Sequence, residues 1–225
     1  MKHQRLASVV TICLLCLSAA CTHPSGNAVT TVADEPRPVY EKPENAYFYF
    51  LAAQQERRAG RSEPAIALFR KAIEFDPDSS YLRRDLAALF LQNKEEDKAL
   101  EVLDELLARN PEDIKGLTLY GGIQQLRKQN DAAIRVYEKV IALDPSQEKI
   151  YSLLGGLYLE GNRLDPAERV LEKLVARFPN SYAGLFLLGR VHLARGKPAL
   201  AEKAFRRSAA ADPESLEPLF ELLKL

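Results

Sequence analysis

The side chains best suited to covalent or metal chemistry lie near the amino terminus. The three cysteines are Cys13, Cys16 and Cys21, and only one of the three histidines, His192, follows residue 23. A thiol nucleophile needs a nearby base, and zinc sites need several Cys or His ligands. Beyond residue 23 the chain can form neither a Cys–His pair nor a His/Cys metal cluster. We therefore expect no metal or other cofactor.

The remaining candidates for catalysis also fit structural roles better. The acidic run at residues 95–97 precedes Lys98, which favours a solvated helix face over an acid–base pair. Gly121-Gly122 and Gly155-Gly156 lack the context of a phosphate-binding loop. His192 falls on an apolar helix face, which favours a packed side chain over a general base. We predict that the protein is not an enzyme and that its function is binding.

Composition and net charge restrict the classes of partner that the protein can be expected to bind. Hydrophobic residues make up 47% and charged residues 28% of the 225 residues, values typical of a globular fold. Lys and Arg together number 31, as do Asp and Glu, so the formal net charge is zero. A phosphate backbone needs a basic surface. Nucleic acid is therefore not an expected partner.

The first twenty residues predict an export signal. Lys2 and Arg5 precede the uncharged stretch 6–20, which ends in small residues before Cys21. This is the layout of a secretory signal peptide. The stretch is shorter than the roughly 20 apolar residues that span a bilayer. We therefore predict cleavage of residues 1–20.

The sequence around Cys21 resembles a bacterial lipobox. It reads Leu17-Ser18-Ala19-Ala20-Cys21, with Leu one place further from the cysteine than is usual. The resemblance implies lipid attachment at Cys21 and a membrane contact through that lipid, with ordinary cleavage after Ala20 as the alternative. Thr22 resembles lipoproteins sorted to the outer membrane, facing the periplasm; the alternative is a secreted soluble protein. Residues 21–45 contain four prolines among polar residues and predict a flexible linker.

A period of 34 residues organises the rest of the chain. Prolines keep this period at Pro77, Pro111, Pro145, Pro179 and Pro213. Small residues keep it at Ala53, Ala87, Gly121, Gly155 and Gly189, and again at Ala65, Ala99, Ala133, Ala167 and Ala201. Bulky residues keep it at Phe69, Leu103, Tyr137, Leu171 and Phe205. These coincident registers predict a repeat architecture.

Within each period the apolar spacing predicts two amphipathic helices. Ser62 and Asp165 are predicted helix caps, Ala167 is predicted to face Gly155, and Asp-Pro pairs are predicted to end the second helix. A single helical hairpin cannot bury its apolar faces alone. The hairpins are therefore expected to stack into a solenoid.

These small, bulky and proline positions resemble the tetratricopeptide repeat. The resemblance implies an all-α fold, a right-handed α-solenoid of five tetratricopeptide hairpins plus a terminal helix. The predicted repeats are 46–79, 80–113, 114–147, 148–181 and 182–215, and residues 216–225 begin a sixth repeat or form a capping helix. Arg83 departs from the pattern, because the fourth place of the repeat usually holds a large apolar residue.

In this family the first helix of each repeat lines the concave wall, so the resemblance implies a binding groove there. The predicted partner-binding residues are Tyr47, Phe50, Tyr81, Arg84, Leu91, Lys115, Gly122, Leu126, Lys149, Gly156, Leu159, Phe186 and Arg190. Gly122 and Gly156 are predicted to leave a shallow floor between cations and apolar walls. That surface suits an extended segment carrying a carboxylate.

We therefore expect an exported, lipid-anchored scaffold for protein–protein interactions in envelope assembly, of the pilus/secretin, outer-membrane protein or peptidoglycan machinery. Its expected partner is an envelope protein or an extended peptide segment in the concave groove. The alternative is the amino-terminal repeat portion of a longer polysaccharide-export or secretion protein.

Overall fold

The computed structural model describes residues 45–225. In this part of the chain it contains eleven α-helices and no strand. They are α1 (Ala46–Arg58), α2 (Ser62–Phe75), α3 (Ser80–Gln92), α4 (Glu96–Arg109), α5 (Ile114–Leu126), α6 (Asn130–Leu143), α7 (Glu148–Glu160), α8 (Leu164–Arg177), α9 (Tyr182–Ala194), α10 (Pro198–Ala211) and α11 (Glu217–Leu223).

The helices pack as successive hairpins. The first ten pair in chain order, α1 with α2 through α9 with α10, and each hairpin also packs on the next. First helices of neighbouring repeats touch directly, as α3 does with α5 and α7 with α9. The fold is thus an all-α solenoid, with the first helices forming an inner layer and the second helices an outer one.

The bulky residue of each second helix forms the centre of its repeat. Phe69, Leu103, Tyr137, Leu171 and Phe205 are each at most 1% exposed. Burying such a side chain stabilises the fold by about 1.5–3 kcal/mol relative to leaving it in water. Because each repeat contributes one, the core runs the length of the stack.

The close approach within a hairpin differs in detail from the prediction. Ala167 was predicted to face Gly155, but the nearest side chain to Gly155 is Leu171, and a Cβ built on the glycine would lie 2.5 Å from Leu171 Cδ2. Gly121 approaches Tyr137 equally closely. The glycine therefore makes room for the bulky residue one turn beyond the alanine.

Each hairpin turn contains one residue with a left-handed backbone. These residues follow the 34-residue period, with φ between 53° and 73°: Gly60, Lys94, Lys128, Asn162 and Gly196. Only two of the five are glycine, the residue that adopts this conformation without steric cost. The turn geometry is therefore imposed by helix packing even where the sequence opposes it.

The predicted caps at Ser62 and Asp165 are wrong. Helix α2 starts at Ser62 itself and α8 starts one residue before Asp165; neither helix has a side-chain cap. The Ser62 hydroxyl donates to Asn93 Oδ1 at 2.8 Å, and Asp165 pairs with Arg195. Both side chains bond to the next repeat because stacked hairpins bring their turns together.

Among residues 45–225, no helix has the length and apolar character needed to cross a membrane. The terminal helix α11 packs on α10 and buries Pro218. Its residues Leu219, Phe220 and Leu223 remain 45%, 57% and 84% exposed.

Candidate functional site

Two adjoining depressions mark the inner wall formed by α3, α5 and α7; we call this surface the groove. The first depression has a volume of about 660 Å³ and is lined by Tyr81, Arg84, Lys115, Thr118 and Leu119, among others. Three of these are predicted partner-binding residues, contributed by α3 and α5. The repeat thus brings side chains 34 residues apart onto one surface.

The second depression lies further along the groove and has a volume of about 360 Å³. It shares Thr118 and Leu119 with the first, so the two are continuous. Four predicted residues line it: Leu91, Gly122, Leu126 and Lys149. Four helices, α3, α5, α6 and α7, therefore line a largely apolar hollow with one lysine beside it.

Gly122 forms part of this hollow because it lacks a side chain. A Cβ placed there would meet only the Tyr137 hydroxyl, at 4.0 Å. A Cβ on Gly156 of α7 would meet no atom within 4 Å. Both glycines leave open space, as the shallow-floor prediction requires. A ligand backbone can approach the helix closely at such positions.

Arg84 is not a free cation of the groove. Its Nη1 donates to both carboxylate oxygens of Asp113, at 3.0 Å each. Asp113 is buried and also accepts from the Gly116 backbone N–H at 2.7 Å. Two charge-assisted hydrogen bonds from one nitrogen to the same carboxylate hold the Arg84 side chain in place. Arg84 on α3 is therefore tied to the residue that caps α5, which the sequence pattern did not predict.

The two lysines of the groove, unlike Arg84, have no acidic partner among the described residues. Both Lys115 and Lys149 are exposed, and within residues 45–225 neither ammonium lies within 4.0 Å of a carboxylate oxygen. Their charges are therefore available to a ligand. Lysine presents a flexible, strongly hydrated point charge rather than a planar fork, which suits a mobile carboxylate.

The first depression also contains two carboxylates. Asp85 accepts from Gln54 Nε2 at 2.5 Å. Asp144 accepts hydrogen bonds from Ser146 and Gln147, and those from Ser146 contribute most to lowering its pKa. Both acids line the depression beside Lys115. A carboxylate ligand is therefore better accommodated at the second depression, beside Lys149.

The other predicted residues divide between packing and exposure. Phe50 lies 5.2 Å from the Tyr81 ring and 6.2 Å from Phe69, measured between ring centroids. Phe186 stacks on Tyr182 at 6.1 Å and contacts Phe205. The remaining predicted partner-binding residues lie on first helices of their repeats but line neither depression: Tyr47 on α1, Gly156 and Leu159 on α7, and Arg190 on α9.

Several lining residues were missed by the sequence reasoning, and two of them are leucines of the second depression. Leu119 and Leu153 occupy the same place in consecutive repeats and both line the second depression. Their shared register was a signal that could have found them, since apolar residues kept at an inner-wall place are candidates for contact. The family wall positions used for the prediction do not include that place.

Within the described part of the chain, His192 and the acidic run at residues 95–97 have structural roles. Within residues 45–225 no three His, Cys, Asp or Glu side chains are grouped to hold a metal ion. His192 is 8% exposed, and burial lowers its pKa from 6.5. It is a packed side chain, as predicted. The acidic run is bound in ion pairs, Glu95 with Lys98 and Glu96 with Arg127.

A stacked helical-hairpin solenoid with a lined inner groove is the architecture of a tetratricopeptide repeat protein. The tetratricopeptide repeat family model matches residues 56–122 and 126–187, more than half of the chain. The chain therefore belongs to this family.

Particular relatives are more distant. Over 90 residues the chain is 34% identical to human Protein O-mannosyl-transferase TMTC3, an alignment that covers 40% of this chain and 10% of that protein. The chain thus spans about a tenth of the length of that relative.

Solved structures share the fold at low sequence identity. MamA protein is 19% identical with a TM-score of 0.67, over 78% of this chain and 96% of MamA. YrrB, described as having an unusual peptide-binding site, is 16% identical with a TM-score of 0.67, over 82% and 95%. PilF of Pseudomonas aeruginosa is 20% identical with a TM-score of 0.63, over 80% and 86%.

Proposed function

We propose that this protein is a lipid-anchored scaffold of the cell envelope that holds an extended segment of an envelope protein in its groove. The segment contributes apolar side chains to the two depressions and a carboxylate to Lys149. Lipid at Cys21 holds the scaffold at the outer membrane, facing the periplasm, where it assists the assembly of its partner.

The observation that carries the binding role is the open groove itself. Two continuous depressions, one of them over Gly122, lie beside exposed lysines that have no carboxylate within 4.0 Å among residues 45–225. Apolar pockets with a few polar groups beside them are typical binding sites. An extended chain can lie close to α5 there because Gly122 presents no side chain.

Two further observations support the envelope setting. The amino-terminal sequence has the layout of an export signal followed by Cys21. The fold is shared with PilF, whose name associates that protein with pili. Assembly of a pilus or secretin is therefore the first envelope pathway to test.

Site-specific photo-crosslinking in cells tests the binding role. Leu126 is 68% exposed on the second depression, so p-benzoylphenylalanine there should crosslink to one defined protein that mass spectrometry identifies. The matched control carries p-benzoylphenylalanine in place of Lys139, which is exposed on the outer helix α6. This control should not give that product. Equal yields at both positions, or a cytoplasmic protein as the product, would contradict the proposal.

A further inference from the structure

Arg83 occupies a place that is otherwise apolar in the solenoid. The equivalent residues of the other four repeats are Tyr49, Leu117, Tyr151 and Leu185, all of them buried. Arg83 is buried just as deeply, at 4% exposure. The second repeat therefore places a guanidinium where the other repeats have an uncharged aromatic or aliphatic side chain.

The buried guanidinium is incompletely paired. Its Nη1 donates to the Pro77 carbonyl oxygen. Its Nε is buried and has no hydrogen-bond partner among residues 45–225. The nearest carboxylate oxygen, Glu105 Oε2, lies 3.9 Å from Nε, and the Glu105 side chain is 70% exposed. A buried charge without a close partner is unfavourable.

Arg83 lines an outer cleft, which we define as the space of about 290 Å³ with α2 and α4 as walls and α3 as floor. Ile73, Leu86, Phe90 and Val102 provide apolar surface there. Arg70 and Lys98 add positive charge, and Glu101 and Glu105 add negative charge. Lys98 is already paired with Glu95. The cleft lies on the opposite side of α3 from the groove.

We propose that the outer cleft is a second binding site, which takes one carboxylate on a short aliphatic stem, such as a glutamate side chain of a partner protein. Arg83 is its anchor. A carboxylate completes the planar donor face of an arginine in bidentate geometry, and the apolar walls cover the stem. A monoanion fits better than phosphate because Glu101 and Glu105 oppose a second negative charge.

Nuclear magnetic resonance of the arginine side chain tests this site directly. The probe is N-acetyl-glutamate N-methylamide, titrated into the full-length protein at constant ionic strength, with the neutral glutamine analogue as its matched control. The Nε–H signal of Arg83, assigned by its loss in Arg83→Leu, should shift saturably with the glutamate probe only. A shift that does not saturate, or one that the glutamine analogue reproduces, would refute the proposal.

Three variants sharpen the result. Binding of the glutamate probe should also shift the backbone amide signals of the residues that line the cleft, and Arg83→Leu should abolish those shifts. This variant should not lower the melting temperature, since leucine occupies this place in two other repeats. Should that variant misfold, Arg83→Lys keeps the charge without the fork and should bind more weakly. Lys173→Ala removes a lysine from α8 and should leave the titration unchanged.

Two comparisons separate the alternatives. Glu105→Gln should tighten probe binding about threefold, because it removes an exposed negative charge that lies beside the Arg83 guanidinium and repels the probe. If the Arg83 Nε–H signal responds to Glu105→Gln but not to the glutamate probe, Glu105 itself is the partner of the Arg83 guanidinium. That result would overturn the proposal. Inorganic phosphate that saturates at a tenfold lower concentration than the glutamate probe would also overturn it, in favour of a phosphate site.

Discussion

At the residue scale, two consecutive glycines on α5 have opposite roles. A Cβ on Gly121 would lie 2.5 Å from the Tyr137 ring, whereas one on Gly122 would be 4.0 Å from the nearest atom, the Tyr137 hydroxyl. The first glycine is required by packing within the hairpin. The second is not, although glycine in a helix costs about 1 kcal/mol relative to alanine. The proposed binding groove gives this second glycine a role that helix packing does not.

Gly121→Ala should destabilise the protein by about 1–3 kcal/mol, the usual cost of overpacking a core. Tyr137 is 1% exposed and cannot move aside. Gly156→Ala is the control, because its Cβ meets no atom within 4 Å. It should stabilise the protein by up to about 1 kcal/mol. Urea denaturation of both variants measures the difference, and equal effects would contradict the packing described for Gly121.

His192 should make stability depend on pH. Burial lowers its native pKa below 6.5, and its Nδ1 lies 3.4 Å from Glu168 Oε1, with Arg195 and Lys197 also near. As pH falls below 6.5, the unfolded imidazole takes up a proton before the native one does. Stability therefore decreases through that window and stops decreasing below the native pKa.

His192→Phe should remove this component, because Phe90 fills the same place in the second repeat. Denaturation at a series of pH values below 6.5 should give a flatter stability profile than the native sequence gives. Parallel profiles for the two proteins would show that His192 does not titrate between the folded and unfolded states.

At the scale of elements, the sequence predicts which helices pair but not how each one begins. The period of prolines, alanines and bulky residues fixes two helices per 34 residues, and the structure has them. Caps were not predictable because Ser62 bonds to Asn93 in the next repeat. Likewise Arg84 was predicted from its place in the repeat as a groove residue, yet it is bound by Asp113, 29 residues away. Hydrogen bonds between side chains about 30 residues apart depend on helix packing that the pattern of a single repeat does not specify.

The hairpin turns offer a test of element geometry. Lys128 has φ 57° in the turn between α5 and α6. A left-handed backbone costs roughly 1–2 kcal/mol for a residue with a Cβ, and glycine removes this cost. Glycine also raises the conformational entropy of the unfolded chain, which offsets part of the gain. Lys128→Gly should therefore stabilise the protein by up to about 1 kcal/mol. Asn162→Gly should have a smaller effect, since asparagine tolerates this conformation. A thermal melt of each variant compares them.

At the scale of the whole molecule, the proposed anchor and the groove are separate parts of the chain. Cys21 lies outside the described residues, and its lipidation remains a prediction. Cys21→Ser should leave the protein unprocessed or release it from the membrane. Fractionation of cells followed by mass spectrometry of the amino terminus measures both. Normal cleavage together with unchanged outer-membrane fractionation would rule out lipid attachment at this residue.

The last prediction concerns the positive charge that Lys115 of the third repeat and Lys149 of the fourth repeat contribute to the groove. Lys115→Glu with Lys149→Glu reverses both exposed cations, so we expect the crosslinking yield at Leu126 to fall most strongly at low salt, where charges on the surface are least screened. Lys139→Glu with Lys173→Glu makes the same change of net charge on the exposed faces of α6 and α8 and should preserve the yield. If both double variants lose crosslinking equally, net charge alone steers the partner. If neither does, the partner contacts another face, and the outer cleft at Arg83 becomes the next surface to probe.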